Sequence, residues 1–482
     1  MSLRNDTIYN LAGSVVSGVA SLIATPLLLA KIGVGGFGVL ALVWLILGHF
    51  TLFDFGLSRA TANHIAKCDA SMPGERGAVL WTSLGLNLLW GLLGATAVYV
   101  VGEPALDVLF AADAAAAEQV ALALPWLAVA VPIATVGSVL TGALEGCRRF
   151  DIANILHSIG SVATQLAPVA IAYGYTSELT ALIAATVLTR AFTAIAALLV
   201  TAHIIAPGIP RGFRKSLARE LLRYGAWISV SSLIVPLLMS LDKFMISSLL
   251  GTAAVAYYAV PDQLVRRVSI LPISLGRSVF PRLASADRSA ADDLSHKSAR
   301  IIACMVTPVI ALLMIVMHEF LALWIDPNFA EMASALGIVL AAGIWVNSLA
   351  IVPSTYLQAI GKPHLTARCH LIEVVPHIVI LWVSVKFLGI IGAALAMFLV
   401  TLLDAALLVA FARMRIWKTA YFWQGAGWIV AAAIAGFIAT QSGVTGLLVG
   451  LSIVGASAFW AYRTSPELPQ MFAALRERMS AS

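Results

Sequence analysis

The chain has 482 residues, of which 60% are hydrophobic and only 11% charged, and its formal net charge is +6. Soluble domains carry about 25% charged residues, so this composition excludes a soluble enzyme built from several polar-surfaced domains. An apolar helix of about 20 residues crosses the ~30 Å of bilayer hydrocarbon. The composition therefore predicts an all-α polytopic membrane protein.

Fourteen apolar segments of about that length follow one another along the chain. We predict membrane spans at 8–30, 37–60, 78–101, 118–141, 152–173, 179–204, 226–249, 254–280, 299–322, 333–357, 370–387, 389–412, 424–440 and 444–462. The second and the eighth are the least regular, because each of them carries charged residues.

The lysines and arginines fix the expected orientation. With the N-terminus inside, 23 of the 30 basic residues fall in cytoplasmic segments, five fall within the predicted spans, and only Lys31 and Lys386 fall in periplasmic segments. Such a bias predicts that both termini lie in the cytoplasm of a bacterial inner-membrane protein. It also accounts for the positive net charge, so no nucleic-acid partner is expected.

Two pairs of segments indicate an internal duplication. The turn at Gly33 matches the turn at Gly251 with an offset of 218, and Leu144-Glu145-Gly146 matches Leu357-Gln358-Ala359 with an offset of 213. We predict an N-terminal six-helix lobe at 1–210 and a C-terminal six-helix lobe at 226–412. An amphipathic cytoplasmic linker at 211–225 would lie on the inner leaflet, and 413–482 would add two helices and a tail. Parallel repeats of this kind place a cavity between the lobes.

Charged residues inside the predicted spans are the candidate functional groups. A charge at mid-span costs at least about 2.5–3.5 kcal/mol, so Arg190, Arg266 and Arg267 are expected to line a water-filled cavity. Lys243 and Arg277 are further cationic candidates. Guanidinium groups bind phosphate in a two-pronged geometry, which favours a diphosphate-bearing lipid as the ligand. Asp262 lies four residues before Arg266 and can pair with it, which would make that arginine structural.

The acidic residues leave alternatives open. Asp242 and Lys243 form either an internal ion pair or part of a gate, and Asp54 forms either an interfacial salt bridge with Arg59 or a gating group. Glu145, beside Arg148 and Arg149, belongs to a cytoplasmic gate or to a plain surface cluster. Asp404 reads as a lone carboxylate in its span, and it is a candidate proton or sodium site.

Other classes of site are not indicated. The sequence has no Walker A loop, dinucleotide fingerprint, nucleophile elbow or metal-ligand histidine spacing, so neither a cofactor nor a catalytic residue is expected. Cys68, Cys147 and Cys369 fall at the cytoplasmic side and Cys304 falls within a span, which predicts reduced thiols.

Several motifs together resemble the Wzx-type polysaccharide flippases of the multidrug/oligosaccharidyl-lipid/polysaccharide exporter superfamily. They are Pro26-Leu27-Leu28-Leu29, Ile32-Gly33, Phe37-Gly38, Asp54-Phe55-Gly56-Leu57-Ser58, Leu241-Asp242-Lys243, Leu250-Gly251, Tyr257-Tyr258, Gln358-Ala359-Ile360-Gly361-Lys362 and Gly389-Ile390-Ile391-Gly392.

The resemblance implies a V-shaped helical bundle that flips undecaprenyl-diphosphate-linked oligosaccharides from the cytoplasmic to the periplasmic leaflet. It implies a proton or sodium gradient as the driving force, with Asp54, Glu145, Asp242, Asp262 and Asp404 available for coupling. It also implies a polysaccharide polymerase and a chain-length regulator as partners.

Three rival functions remain at this point. A lipid II flippase shares fourteen spans and a basic cavity, whereas a drug/cation antiporter favours twelve spans and a cavity dominated by carboxylates and aromatic rings. A membrane polymerase or ligase typically carries a large periplasmic loop, and no predicted outer segment exceeds about fifteen residues.

Overall fold

A computed structural model of the chain describes residues 3–68, 73–205, 213–223, 236, 238, 240–442 and 444–469. All regular structure in these ranges is helical. In chain order the helices are α1 Leu3–His49, α2 Leu57–Lys67, α3 Pro73–Leu109, α4 Ala114–Gly146, α5 Phe150–Gly174, α6 Leu179–Ile205, α7 at 215–223, α8 Leu241–Leu250, α9 Thr252–Arg266, α10 Ile270–Ser285, α11 Arg288–Trp324, α12 Pro327–Ala359, α13 Pro363–Ala412, α14 Ala420–Ser442 and α15 Val444–Thr464.

The helices form two compact units, Met1–Ala256 and Tyr257–Ser482. Ten of the described helical stretches are long and apolar enough to cross a membrane, which agrees with the predicted multi-pass membrane protein. The predicted count of fourteen spans stays a prediction.

Two of the ten stretches contain a glycine that interrupts the helix. In α1, Gly33 has φ 72° and ψ 173°, and in α13, Gly389 has φ 61° and ψ −144°. L-residues with a Cβ rarely adopt such angles, so glycine is required at both places. Gly33 lies in the gap predicted between the first and second spans, and Gly389 is the first residue of the predicted twelfth span.

Two predicted spans end differently in the structure. The second helical stretch stops at His49 instead of continuing to residue 60, and a 3₁₀ turn follows at Phe50–Asp54. The predicted eighth span, 254–280, is broken by a 3₁₀ turn at Arg267–Ser269. Pro272 lacks the N–H that would bond back into this turn, so it is accommodated in the first turn of the new helix α10 more readily than inside a continuous helix.

The internal duplication reappears in backbone detail. Helices α3 and α11 have 37 residues each, and α4 and α12 have 33 residues each. An aspartate caps the N-terminus of both members of the second pair: Asp113 accepts from Ala116 N at 3.1 Å, and Asp326 accepts from Phe329 N at 2.9 Å. These caps lie 213 positions apart, the same offset as that between Leu144-Glu145-Gly146 and Leu357-Gln358-Ala359.

The conformations at the matched turns agree as well. Gly251 has φ 87° and ψ 174°, almost the angles of Gly33. After α4 the left-handed residue is Arg148 with φ 58°, and after α12 it is Gly361 with φ 75°. The same backbone hydrogen bond then forms after each of the two helices, from Arg149 N to Leu144 O at 2.9 Å and from Lys362 N to Leu357 O at 2.8 Å. The two copies of the predicted duplication therefore share one helical plan, with the second copy beginning before the boundary between the two compact units.

The predicted linker is only partly described, and its helix α7 packs on protein. Leu221 is fully buried and Ala218 is 5% exposed, in a cluster with Leu57, Leu80 and Val139 of the first unit. Neighbouring helices thus cover part of the predicted apolar face, whereas Phe213 is exposed, and the position of the linker on the inner leaflet stays a prediction.

The residues after α15 are tied back to α11. Glu467 accepts hydrogen bonds from Arg300 Nη2 at 2.6 Å and from Ser465 Oγ at 2.8 Å, and Lys297 Nζ lies 3.6 Å away. Burial alone would raise the pKa of Glu467, but these hydrogen bonds and the Arg300 charge outweigh it and lower the pKa below its usual value.

Candidate functional site

Arg190 lies on α6 and faces α1. Its Nη1 donates to Leu47 O at 3.0 Å, and one turn earlier Trp44 Nε1 donates to Thr186 Oγ1 at 3.5 Å. Positions 186 and 190 share one face of a helix, as do 44 and 47, so a polar seam joins the two helices. No carboxylate within the described ranges neutralises Arg190, whose partner is a neutral carbonyl.

Asp54 lies where the chain leaves the first pair of spans. The turn needs two left-handed residues, Phe55 with φ 48° and Gly56 with φ 72°. The Asp54 carboxylate is 6% exposed, and it accepts from Ser58 N at 2.9 Å and from Ser138 Oγ at 2.5 Å.

The predicted salt bridge between Asp54 and Arg59 is absent from the described part of the chain. The Arg59 side chain is exposed, and only its long-range charge acts on the carboxylate. Sequence reasoning missed Ser138, which comes from α4 and cannot be linked to Asp54 by local spacing.

Asp242 and Lys243 form an ion pair at the start of α8. Lys243 Nζ lies 3.4 Å from Asp242 Oδ2, and the Lys243 N–H donates to Asp242 Oδ1 at 2.8 Å. The aspartate is fully buried. This geometry fits the internal ion pair that the sequence left open beside a gating role.

Asp262 and Arg266 form the predicted i,i+4 pair, with Arg266 Nε 2.7 Å from Asp262 Oδ1. Arg267 begins the 3₁₀ turn and is exposed, and its described surroundings contain no acidic partner. Arg277 is exposed on α10, where it lines a groove of about 280 Å³ together with Phe280 and residues of α12. The three arginines therefore occupy different environments.

Glu145 is exposed near the end of α4. Within the described residues it forms no salt bridge with its basic neighbours, and Arg149 instead pairs with Asp151 through two contacts of 3.1 Å. That bidentate pair raises the pKa of Arg149. The arrangement fits a surface cluster.

Asp404 is not a lone carboxylate, which corrects the prediction. Its Oδ1 lies 3.8 Å from His370 Nδ1, and the same nitrogen lies 4.0 Å from Glu373 Oε2. Sequence reasoning missed His370 and Glu373, because they come from the other half of α13.

The four cysteines are free thiols, as predicted: Cys68 and Cys147 are half-buried, and Cys304 and Cys369 are buried. Burial raises the pKa of the Cys147 thiol, which lies between α4 and α5.

Comparison with known proteins places these features in a family. Residues 3–287 match the family described as polysaccharide biosynthesis protein. A Shigella flexneri protein named "Putative O-antigen transporter" is 28% identical over 412 residues, which cover 85% of this chain and 97% of that protein. The Bacillus subtilis "Uncharacterized membrane protein EpsK" is 31% identical over 149 residues, about 30% of each chain.

Solved structures share the fold at low sequence identity. Lipid II flippase MurJ in an inward closed conformation has a TM-score of 0.71 at 14% identity and covers 95% of this chain and 99% of its own. An inward-facing multidrug resistance MATE family transporter has a TM-score of 0.67 at 16% identity and covers 85% of this chain and 98% of its own. As the sequence motifs indicated, the chain belongs to the polysaccharide biosynthesis protein family, and it shares its fold with the solved MurJ and MATE structures.

Proposed function

We propose that the protein flips undecaprenyl-diphosphate-linked oligosaccharides from the cytoplasmic to the periplasmic leaflet by alternating access, for cell-surface polysaccharide synthesis. The family membership and the name of the Shigella relative support this substrate class. The basic residues of the sequence support an orientation with both termini in the cytoplasm. Under this proposal a polymerase and a chain-length regulator act on the flipped lipid.

Arg190 carries the proposal. Its guanidinium remains protonated, and the described residues offer it a carbonyl oxygen but no carboxylate. An uncompensated charge at this depth costs several kcal/mol, a cost that a bound anion can offset. A diphosphate supplies two negative groups whose oxygens match the donor fork of arginine.

The other cations then take graded roles. Arg266 and Lys243 each hold an adjacent aspartate, and we assign to them mainly the positioning of their helices. Arg267 and Arg277 are exposed, and we assign to them the attraction of the anionic head group. Guanidinium groups without a competing carboxylate are the stronger diphosphate ligands, because no internal pair has to break before the substrate binds.

We assign proton coupling to Asp54. It is buried, and it accepts hydrogen bonds from neutral donors, among them Ser58 N and Ser138 Oγ. A serine hydroxyl can donate to a carboxylate or accept from a carboxylic acid, so Ser138 can serve both protonation states. Asp242 and Asp262 are less suited, because each faces a permanent cation.

The test is flipping of a labelled undecaprenyl-diphosphate oligosaccharide by protein reconstituted in liposomes. We expect Arg190→Ala to lower the rate at least tenfold and Arg190→Lys to recover only part of it, since lysine lacks the two-pronged geometry. Arg463→Ala is the matched control, because Arg463 is exposed at the end of α15, where it stacks on Phe459. Equal rates for wild type and Arg190→Ala in folded protein would remove Arg190 from substrate binding.

The same assay separates the rival functions. Transport of lipid II at a higher rate than the oligosaccharide lipid would favour the lipid II flippase, and export of cationic drugs alone would favour the antiporter. For coupling, Asp54→Asn is expected to abolish stimulation by a proton gradient, whereas Glu145→Gln retains it because Glu145 is an exposed surface group. Stimulation by a proton gradient that survives in Asp54→Asn would refute the coupling assignment.

A further inference from the structure

Three side chains of α13 meet across the two halves of this helix. His370 Nδ1 lies 3.8 Å from Asp404 Oδ1 and 4.0 Å from Glu373 Oε2, and one donor atom from each residue lies within 4.8 Å of the others. A straight helix would separate positions 370 and 404 by about 51 Å at 1.5 Å per residue. The chain must therefore reverse between them, and Gly389 is the residue with non-helical angles.

The cluster contains acceptors that the described residues leave unsatisfied. Glu373 is 7% exposed, and its Oε1 has no hydrogen-bond partner. Asp404 Oδ1 also lacks a hydrogen bond. Distances of 3.8–4.0 Å are too long for direct hydrogen bonds to the imidazole. Buried polar groups are normally paired, so this arrangement points to a ligand that fits among the three side chains.

We propose that His370, Glu373 and Asp404 bind a divalent transition-metal ion, of which Zn²⁺ is the representative. Imidazole combined with carboxylates suits zinc, manganese and iron, whereas alkali ions prefer oxygen ligands alone. Zinc binds these atoms at about 2.0–2.2 Å, so two ligands lie at most about 4.4 Å apart across the metal. Tetrahedral ligands at these bond lengths lie about 3.3–3.6 Å apart. The separations of 3.8 and 4.0 Å must therefore shorten by about 0.2–0.7 Å, and the third pair, which lies within 4.8 Å, by up to about 1.5 Å.

Charge supports a divalent ion over a monovalent one. With a neutral imidazole, the two carboxylates contribute two negative charges, which a divalent cation cancels. Buried charge is tolerated when it is paired or coordinates a metal. The bound metal would tie the N-terminal half of α13 to its C-terminal half, and so brace the hairpin that Gly389 forms. This role goes beyond the proposed flipping, and it does not depend on it.

The test uses the purified full-length protein in detergent, freed of metal by a chelator and then dialysed against Zn²⁺. We expect one zinc per chain by elemental analysis, and a Kd at least tenfold weaker in His370→Gln, Glu373→Gln and Asp404→Asn. His318→Gln and Glu319→Gln are matched controls, because His318 Nδ1 lies 3.5 Å from Glu319 Oε1 as a pair to which the described part of the chain adds no third ligand. The controls should bind as wild type does.

A second measurement uses the wild-type protein alone, so its result does not depend on whether a variant folds. Wild type loaded with one equivalent of Cu²⁺ should show coupling to a single imidazole nitrogen in its electron paramagnetic resonance spectrum. The proposal is overturned if monodisperse wild-type protein binds no zinc, which is the result expected if the three side chains only share a proton. It is also overturned by binding that the three variants leave unchanged, or by a copper spectrum with more than one nitrogen. Because the readout is metal content, failure here is distinct from failure of the flipping assay.

Discussion

The paired turns after α4 and α12 offer a quantitative test of the duplication. Arg148 and Gly361 occupy equivalent left-handed positions, with φ of 58° and 75°. A Cβ added to Gly361 would meet nothing within 4 Å, and the Arg148 side chain is exposed. Substitutions at these two positions therefore report mainly on the backbone conformation.

The expected magnitude follows from two opposing terms. The left-handed conformation destabilises the folded state by about 1–2 kcal/mol for a residue with a Cβ. Glycine lowers the free energy of unfolding by about 0.5–1 kcal/mol, because it gives the unfolded chain greater conformational freedom. Arg148→Gly should therefore raise the free energy of unfolding by about 0.5–1 kcal/mol. Gly361→Ala should lower it by a similar amount.

The assay is equilibrium unfolding in mixed micelles, followed by the fluorescence of the 12 tryptophans. Arg148→Ala is the control, since it removes the side chain and keeps the strained backbone, and it should match wild type. The reasoning is refuted if Arg148→Gly is no more stable than Arg148→Ala, or if Gly361→Ala costs nothing.

Further predictions concern packing, pH and topology. Gly142→Ala should destabilise the first unit by several kcal/mol more than Gly137→Ala on the same helix. The reason is that a Cβ at position 142 would lie 2.3 Å from a backbone oxygen of α2, whereas a Cβ at position 137 would meet nothing within 4 Å. Equal unfolding energies would contradict this packing. Because the folded pKa of Glu467 is lowered, its stabilisation should be complete above the unfolded value of 4.5 and be lost as pH falls through the folded pKa, so unfolding curves of wild type and Glu467→Gln should converge in acid. A gap that widens in acid would refute the sign. In a cysteine-free background, an impermeant maleimide should label Tyr175→Cys in whole cells and Arg415→Cys only in inverted vesicles; the reverse pattern would overturn the orientation.

Hydropathy predicted most helices because apolar length is a direct requirement of the bilayer. The glycine breaks at 33, 251 and 389 were also readable, since their motifs interrupt apolar runs. The end of the second span could not be predicted in this way. Leu52 and Phe53 continue the apolar pattern, although the chain turns at Phe55 and Gly56, which both have left-handed backbone angles. Hydropathy is insensitive to backbone angles, so it extended the helix through residues that the chain uses to turn.

Side-chain partners followed from sequence only when they were local. The pair Asp262–Arg266 lies four residues apart on one helix, and the spacing alone identified it. The contact between Asp54 and Ser138 joins residues 84 positions apart, and no periodicity connects them. The apolar face of α7 was correctly recognised, but amphipathicity cannot distinguish a lipid surface from a protein surface, and Leu221 is buried by protein.

The His370–Glu373–Asp404 cluster is intermediate between a local pair such as Asp262–Arg266 and a distant contact such as Asp54–Ser138. Two spans predicted at 370–387 and 389–412 already imply a hairpin that turns near Gly389. In such a hairpin, residues at similar distances from the turn lie side by side. His370 is 19 positions before Gly389 and Asp404 is 15 after it, a difference of about one helical turn. The contact was therefore available from the sequence once polar residues were paired across the turn, and Glu373 one turn after His370 completes the group. For a helical hairpin in a membrane, the distance of each charged residue from the turn is as informative as the i,i+4 spacing within a helix.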